Sequence, residues 1–313
     1  MIGRRAFLGG ATVFGLGACS GFDLDKLNIP PVERTILGDL DARLRLIEGA
    51  GDGTLGVEIF DTSSGQSLGN NEDRRFGHCS SFKMSLAAMV LAGHAGGSID
   101  ADKRLTWTEQ DLMFVSPFTE KRVDEGATMR ELAEFTQKWS DNAAANILLR
   151  ELGGPAALTS FWRSIGDEVS RLDRLEPALN NVPEPEFRDT TTPAAMARTV
   201  AKLVYGDIMP FAERQTLRQW MIDTPTGRRR VRAGLPEEWV AGDKTGTSIW
   251  PGMGSLYVDI GFVEPLDRAP LTFATYFRAR DAHETMDPQS EATLAKVGGV
   301  IDDYAEVDDG NPF

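Results

Sequence analysis

The chain has 313 residues, 41% hydrophobic and 26% charged, proportions typical of soluble globular proteins that argue against a disordered chain or a multi-span membrane protein. Its formal net charge of −14 at pH 7 opposes a nucleic-acid partner, since phosphate backbones are held by a clustered excess of Lys and Arg. Two cysteines, Cys19 and Cys79, cannot make a disulfide framework, and three scattered histidines (His78, His94, His283) lack the spacing of a zinc site, so no metal and no cofactor is expected.

In chain order, residues 1–20 read as an export signal rather than as fold. Arg4 and Arg5 precede Ala6-Phe7-Leu8 and a Gly-rich apolar run through Ala18, which is too short to span a bilayer and fits a twin-arginine signal. The run ends in Leu16-Gly17-Ala18-Cys19, which resembles a bacterial lipoprotein cleavage box; ordinary signal-peptidase cleavage nearby is the alternative. The expectation is an exported, periplasmic protein, membrane-anchored if Cys19 is lipidated.

From Val32 to Glu48, Ile36, Leu37, Leu40, Leu44 and Ile47 recur at three and four residues and predict one apolar helix face. Thr54 to Phe60 alternates as a half-buried strand, ahead of a turn at Ser63-Ser64-Gly65. The stretch from about Ser80 to about Tyr205 reads as helices. Among them are a nearly all-apolar segment from Met84 to Leu91, one from Met129 to Trp139 with a capping box at Thr128 and Glu131, and one from Ala143 to Leu152 stopped by Gly153-Gly154-Pro155. Strand signals return at Trp239–Thr247, Ser255–Val263 and Leu271–Arg280, and a helix from Gln289 to Tyr304 precedes an acidic tail expected to be loose. The ends of the chain therefore read as α/β (30–75 and 226–308) and the middle (76–225) as all-α, with the strands favouring an antiparallel sheet.

Chemistry first shows at Cys79-Ser80-Ser81-Phe82-Lys83. A lysine in an otherwise apolar helix is expected to be buried, which disfavours its charged form and makes it a candidate base. Ser80, one turn earlier at the helix start, puts its hydroxyl on the same face as that amine, a geometry that activates serine without histidine. Ser-x-x-Lys alone occurs by chance on the order of once in a chain this long. Two further elements follow: Ser140-Asp141-Asn142 at a break between helices, and Lys244-Thr245-Gly246-Thr247 ending a strand, where Gly246 would let a ligand lie close to the backbone. Cys79 reads as a small buried residue rather than a nucleophile, since no histidine constellation surrounds it.

These elements in this order are the set of class A β-lactamases and penicillin-binding proteins. With Arg171 to Asn180, which contains Glu176-Pro177-Ala178-Leu179-Asn180 and matches the Glu-x-x-Leu-Asn of the Ω-loop, the sequence resembles a class A β-lactamase from about Val32 to Val300. Trp139 to Leu148 and Val231-Arg232-Ala233-Gly234-Leu235-Pro236 belong to the same resemblance. It implies a two-lobed fold, a five-stranded antiparallel sheet flanked by helices plus an all-α lobe. It also implies an activity, hydrolysis of a small-molecule β-lactam through an acyl-enzyme on Ser80. Lys83, or Glu176 through water, would take the serine proton; Ser140 would pass a proton to the departing nitrogen; Glu176 and Asn180 would hold the hydrolytic water. The backbone amides of Ser80 and Thr247 would form the oxyanion hole, worth about 3 to 4 kcal/mol per donor. Lys244, Thr245, Gly246 and Thr247 would bind the substrate carboxylate, Asn142 the side-chain amide of the drug, and an Arg174–Asp189 ion pair would pin the Ω-loop.

Some positions depart from the family pattern. Ser255-Leu256-Tyr257-Val258 offers no arginine on the strand after Lys-Thr-Gly, and Arg230 stands where other branches carry a substitute. Cys79 matches a cysteine that some carbapenem-hydrolysing members bridge, but Ser248 occupies the partner position, so that disulfide cannot form. Val115 replaces an aromatic at the cleft mouth. A DD-peptidase or a β-lactam receptor that stays acylated are the alternative functions. No partner beyond the substrate is implied, and a monomer suffices.

Overall fold

Helix α1 (Pro31–Gly51) buries Leu37, Leu40, Leu44 and Ile47, the stripe its spacing predicts, against Leu294, Val297, Val300 and Ile301 of the C-terminal helix. The computed structural model describes residues 31–307; the export signal, Cys19 and the acidic tail lie outside the described residues. Strands β1 (Gly53–Asp61) and β2 (Ser67–Asn70) form a hairpin whose turn is held by Asp61 Oδ1, which accepts the Ser63 amide at 2.7 Å. The brief strand β3 (Phe76–Gly77) leads through a 3-10 turn (Cys79–Ser81) into α2 (Phe82–Ala95), whose first seven residues are all buried.

Two-residue strands β4 (Arg104–Leu105) and β5 (Ala127–Thr128) pair ahead of α3 (Met129–Trp139). The expected capping box is present: the Glu131 amide donates to Thr128 Oγ1 at 3.1 Å and the Thr128 amide to Glu131 Oε2 at 2.8 Å. Next come α4 (Asn142–Glu151) and α5 (Pro155–Ser164), separated by Gly153 and Gly154 at φ +100° and +86°, backbone that favours glycine. Strand β6 (Thr190–Thr191) returns to β3, and α6 (Pro193–Val204) and α7 (Phe211–Ile222) complete the helices.

The reading of 80–205 as helical is therefore corrected in three places, the first between α2 and α3, where residues 96–128 hold the β4–β5 pair and two 3-10 turns instead of a helix. Between α5 and β6 the chain is a loop with one 3-10 turn at Ala178–Asn180, as fits a segment interrupted by Pro177, Pro183 and Pro185. Helix also continues beyond Tyr205, in α7.

Strands β7 (Val240–Ser248), β8 (Leu256–Glu264) and β9 (Leu271–Ala279) lead into α8 (Pro288–Ala305). The sheet is five-stranded and antiparallel in the order β2-β1-β9-β8-β7. The period of two explains why β8 is buried along nearly its whole length: Leu256, Val258, Ile260 and Phe262 enter the core shared with the helices from α2 to α7, whereas Tyr257 and Val263 enter the core shared with α1 and α8. The fold is thus two-lobed, an α/β layer and a helical mass that packs across one face of the sheet, α6 against β1, β8 and β9 and α7 against β7.

Candidate active site

At the meeting of the lobes, Ser80 sits in the turn that opens α2. Cys79 precedes it at φ +47°, left-handed backbone that costs a non-glycine residue about 1 to 3 kcal/mol and aims the next residue out of the helix line. Burial pushes the Cys79 thiol up to about 12, so it carries no thiolate. Gly246 of β7 packs on this turn: a Cβ there would lie 2.8 Å from the Ser80 amide nitrogen and 2.8 Å from Cys79 Cβ. Its glycine therefore admits the chain's own Ser80 turn, rather than only a ligand.

Lys83, fully buried, gathers the polar groups. Its Nζ lies 3.0 Å from Ser80 Oγ, 2.9 Å from the Ser140 carbonyl, 3.4 Å from Ser140 Oγ and 3.1 Å from Glu176 Oε1, and it also donates to Asn142 Oδ1. Burial pulls its pKa below that of an ordinary lysine, against the upward pull of the Glu176 carboxylate. Ser140 closes α3 in left-handed backbone, and Asp141 begins α4 by accepting the Ala144 amide at 2.8 Å. Asp141 Oδ2 also takes the amides of Phe118 and Thr119, both at 3.0 Å, so the Ser-Asp-Asn break is bolted to the neighbouring loop.

Glu176 is 4% exposed and presents Oε1 to Ser80 Oγ at 3.5 Å, while Asn180 Nδ2 donates to its Oε2 at 2.6 Å. Asn180 Oδ1 is buried with no protein hydrogen-bond partner, an acceptor left for a molecule that enters the cleft. The Ω-loop carrying both is anchored by Arg174 Nε on Asp189 Oδ2 at 2.5 Å, as predicted. It is also held by Asn146, whose Oδ1 accepts the Glu176 amide at 3.0 Å and whose Nδ2 donates to the Glu176 carbonyl at 2.9 Å. Sequence reasoning missed Asn146, although a buried amide one turn after Asn142 in an otherwise apolar helix was a signal.

Opposite lies β7. The cleft encloses about 530 Å³ and is lined by Ser80, Ser140, Asn142, Glu176, Asn180 and, across from them, Thr245, Gly246, Thr247 and Arg230. Lys244 is not on its surface: fully buried, it donates to Ser140 Oγ at 3.1 Å and to the Thr245 carbonyl at 2.8 Å, and so reaches the cleft through Ser140. Burial and the nearby Lys83 hold its pKa well below that of an ordinary lysine. Arg230 is buried and committed in several directions, donating from Nη1 to the Gly246 carbonyl at 2.8 Å and from Nη2 to Thr247 Oγ1 at 2.7 Å. Asn142 Nδ2 donates to the Phe114 carbonyl at 2.9 Å, which leaves one of its two N–H bonds for a substrate. Phe114, 63% exposed, supplies an aromatic surface at the mouth beside Val115, with no sequence signal to announce it. Ser248 Oγ donates to the Asn180 carbonyl at 2.8 Å, a tie between β7 and the Ω-loop. Among the described residues no group of three or more His, Cys, Asp or Glu could hold a metal ion.

Residues 39–305 match the model of the β-lactamase enzyme family. The chain is 39% identical to β-lactamase L2 of Stenotrophomonas maltophilia over 267 residues, 82% of either chain, and 41% identical to the carbapenem-hydrolyzing β-lactamase KPC of Klebsiella oxytoca over 243 residues, 78% of this chain and 81% of that one. Among solved structures it is similar to an ancestral (GNCA) class A β-lactamase, with a TM-score of 0.80 and 45% identity, covering 85% of this chain and 99% of that one. A β-lactamase from Xanthomonas campestris pv. campestris matches with a TM-score of 0.80 and 38% identity, covering 86% and 98%.

Proposed function

Because the chain belongs to the class A β-lactamase family and is a hydrolase of β-lactam antibiotics, we propose that it works through a covalent ester on Ser80, released by a water that Glu176 activates. Ser80 Oγ attacks the lactam carbonyl, and its proton passes to the Lys83–Glu176 pair, of which Lys83 Nζ lies nearer, at 3.0 Å from Ser80 Oγ against 3.5 Å for Glu176 Oε1. The oxyanion is held by the backbone amides of Ser80 and Thr247. The C–N bond breaks as Ser140 protonates the nitrogen and is itself reprotonated from Lys83 or Lys244, both within hydrogen-bond reach. Water on Glu176 and Asn180 then attacks the ester, Glu176 takes its proton, the acyl C–O bond breaks, and the departing Ser80 oxygen receives that proton through Lys83, which restores the hydroxyl. Thr245, Thr247 and Arg230 receive the ring carboxylate, backed by Lys244, and the free N–H of Asn142 receives the side-chain amide.

The observation that carries this reading is the carboxylate of Glu176, 3.5 Å from the Ser80 hydroxyl and bonded on its other oxygen to Asn180, the arrangement an ester-hydrolysing base requires. Mass spectrometry during turnover of a chromogenic cephalosporin tests it. The wild type should turn over and return to free mass, Glu176→Ala should accumulate the adduct on Ser80, and Ser80→Ala should take up none. An adduct on Ser80→Ala would remove the nucleophile, and undiminished release by Glu176→Ala would remove the base. A wild type that stops after one equivalent would instead be a receptor or a peptidase.

Export through residues 1–20 and lipidation of Cys19 belong to the same proposal; among the described residues no helix is long and apolar enough to cross a membrane. If Cys19 is the anchor, Cys19→Ser moves the protein from the membrane to the soluble fraction. The discontinuous α/β unit of 30–75 and 226–308 around a helical unit of 76–225 is proposed likewise, supported by the core that α1, α8 and one sheet face share.

A further inference from the structure

On the strand after Lys-Thr-Gly, where Ser255-Leu256-Tyr257-Val258 offers no arginine, this chain carries Tyr257. It stands opposite Thr247 in the β7–β8 register and is fully buried on the α8 side of the sheet. The Arg230 guanidinium lies 5.8 Å from the centre of its ring. The phenol oxygen accepts the Asp287 amide at 2.9 Å and is 2.8 Å from His283 Nδ1. Asp287 caps α8, its Oδ2 accepting the Ser290 amide at 2.8 Å and the Ser290 hydroxyl at 2.7 Å. One turn on, Glu291 is 4% exposed and offers Oε1 to Arg230 Nε at 3.5 Å and Oε2 to Arg229 Nε at 3.0 Å. The contacts close a ring, from Tyr257 through the cap of α8 to Glu291, then to Arg230 and back to the face of Tyr257.

We propose that Tyr257 is the positioning residue for Arg230, its ring supporting the guanidinium and its hydroxyl fixing the helix start that carries Glu291, so that this chain selects β-lactams with a free ring carboxylate. The inference rests on the proposed role of Arg230. Packing alone would be served by phenylalanine, since a buried hydroxyl without partners is costly; here the hydroxyl has two polar neighbours, one of them the backbone of the α8 cap. An arginine over an aromatic face is further held by the ring quadrupole, which a leucine lacks. Since Arg230 is also tied to the carbonyls of Gly246 and Val258, small shifts of α8 would move one corner of a crowded guanidinium rather than release it. The expected consequence is weaker carboxylate binding rather than lost chemistry.

The test compares a penicillin with its methyl ester, which keeps the lactam but carries no carboxylate charge. In Tyr257→Phe the acid-to-ester ratio of kcat/KM should fall about fivefold, and in Tyr257→Leu about 20-fold. The kcat on the acid should stay within about twofold, as expected for a group that holds ground and transition states alike. Glu291→Gln should lower the same ratio, and combining it with Tyr257→Phe should add less than the two effects together, because both act through Arg230. An unchanged ratio, an equal loss on acid and ester, or full additivity would overturn this inference alone. If Arg230→Ala leaves the ratio at the wild-type value, the role of Arg230 fails and this proposal with it.

Discussion

On one wall of the cleft Lys83 is buried beside a carboxylate; on the other, Lys244 is buried without one. Both are fully inaccessible, yet Glu176 lies 3.1 Å from Lys83 Nζ, whereas the carboxylate adjoining Lys244, that of Asp243, is taken by Arg232. Burial depresses both amines; Glu176 pulls Lys83 back up by charge and hydrogen bond, whereas the charge of Lys83 pushes Lys244 further down against the pull of Asp243 and Glu176, so Lys244 is the more strongly lowered. The same residue type at the same burial thus stands beside Ser80 and Glu176 on the α2 wall, as the proposed proton exchange requires, and on the β7 wall donates to Ser140 behind the hydroxyls and Arg230 proposed to take the carboxylate. What the neighbours do, rather than what the residue is, divides the labour.

That division predicts that the walls fail differently. Lys83→Met removes the proton acceptor and leaves Glu176 buried without its cation, and kcat/KM should fall on the order of 10³-fold, read as the rate of ester formation on Ser80. A loss confined to KM would merge the two walls. Arg230→Ala should act on the other side of the comparison: loss of a charge-assisted contact of about 1.5 to 3 kcal/mol raises KM roughly 10- to 100-fold, with kcat little changed. A collapse of kcat there would make Arg230 part of the proton machinery.

The pin beneath the proton wall sets a stability effect. Asp189 is fully buried and accepts from the Asp173 and Arg174 amides as well as the Arg174 side chain, so Asp189→Asn should cost about 3 kcal/mol in denaturant unfolding. It should also slow ester release, because the Ω-loop carries Glu176. Normal release in the destabilised variant would separate the pin from the base.

The smallest effect concerns pH. His78, stacked on Trp162 at 4.9 Å between ring centres, is pushed by burial from 6.5 down to about 4. The unfolded chain therefore binds its proton first, and this contribution to stability is complete above pH 6.5 and lost as pH falls toward about 4. Glu58 in β1 is pushed by burial, against the pull of Arg198, from 4.5 up to about 7; its contribution is complete below pH 4.5 and lost as pH rises toward about 7. Between pH 4.5 and 6.5 the two slopes, each about 1.4 kcal/mol per pH unit, oppose one another. Relative to the wild type in that window, stability should fall more steeply with rising pH in His78→Phe and should rise more steeply with pH in Glu58→Gln. Parallel curves for all three would mean that neither group titrates as its burial implies.

Much of the molecule was legible before any coordinates. The stripe of α1, the capping box of α3, the Gly-Gly-Pro stop and the three C-terminal strands follow from local periodicity and turn chemistry, and the structure has them within a few residues. The short strand β2, Ser-Leu-Gly-Asn, carries no β-branched residue and gave no signal. The Ω-loop had no period to read, and its order comes from Asn146 and Asp189 rather than from its own propensity.

By itself the sequence determined the identities that chemistry needs: a serine one turn before a lysine, a second serine at a helix break, a glutamate near an asparagine, and a strand ending in Lys-Thr-Gly. Only the tertiary structure decided where these act. It put Gly246 against the Ser80 turn, Lys244 behind Ser140 instead of on the cleft surface, both amide groups of Asn146 on the Glu176 backbone, and Tyr257 beneath Arg230. The physical reason is that these contacts join segments far apart in the chain, through packing and burial that leave no periodicity or spacing in either segment alone.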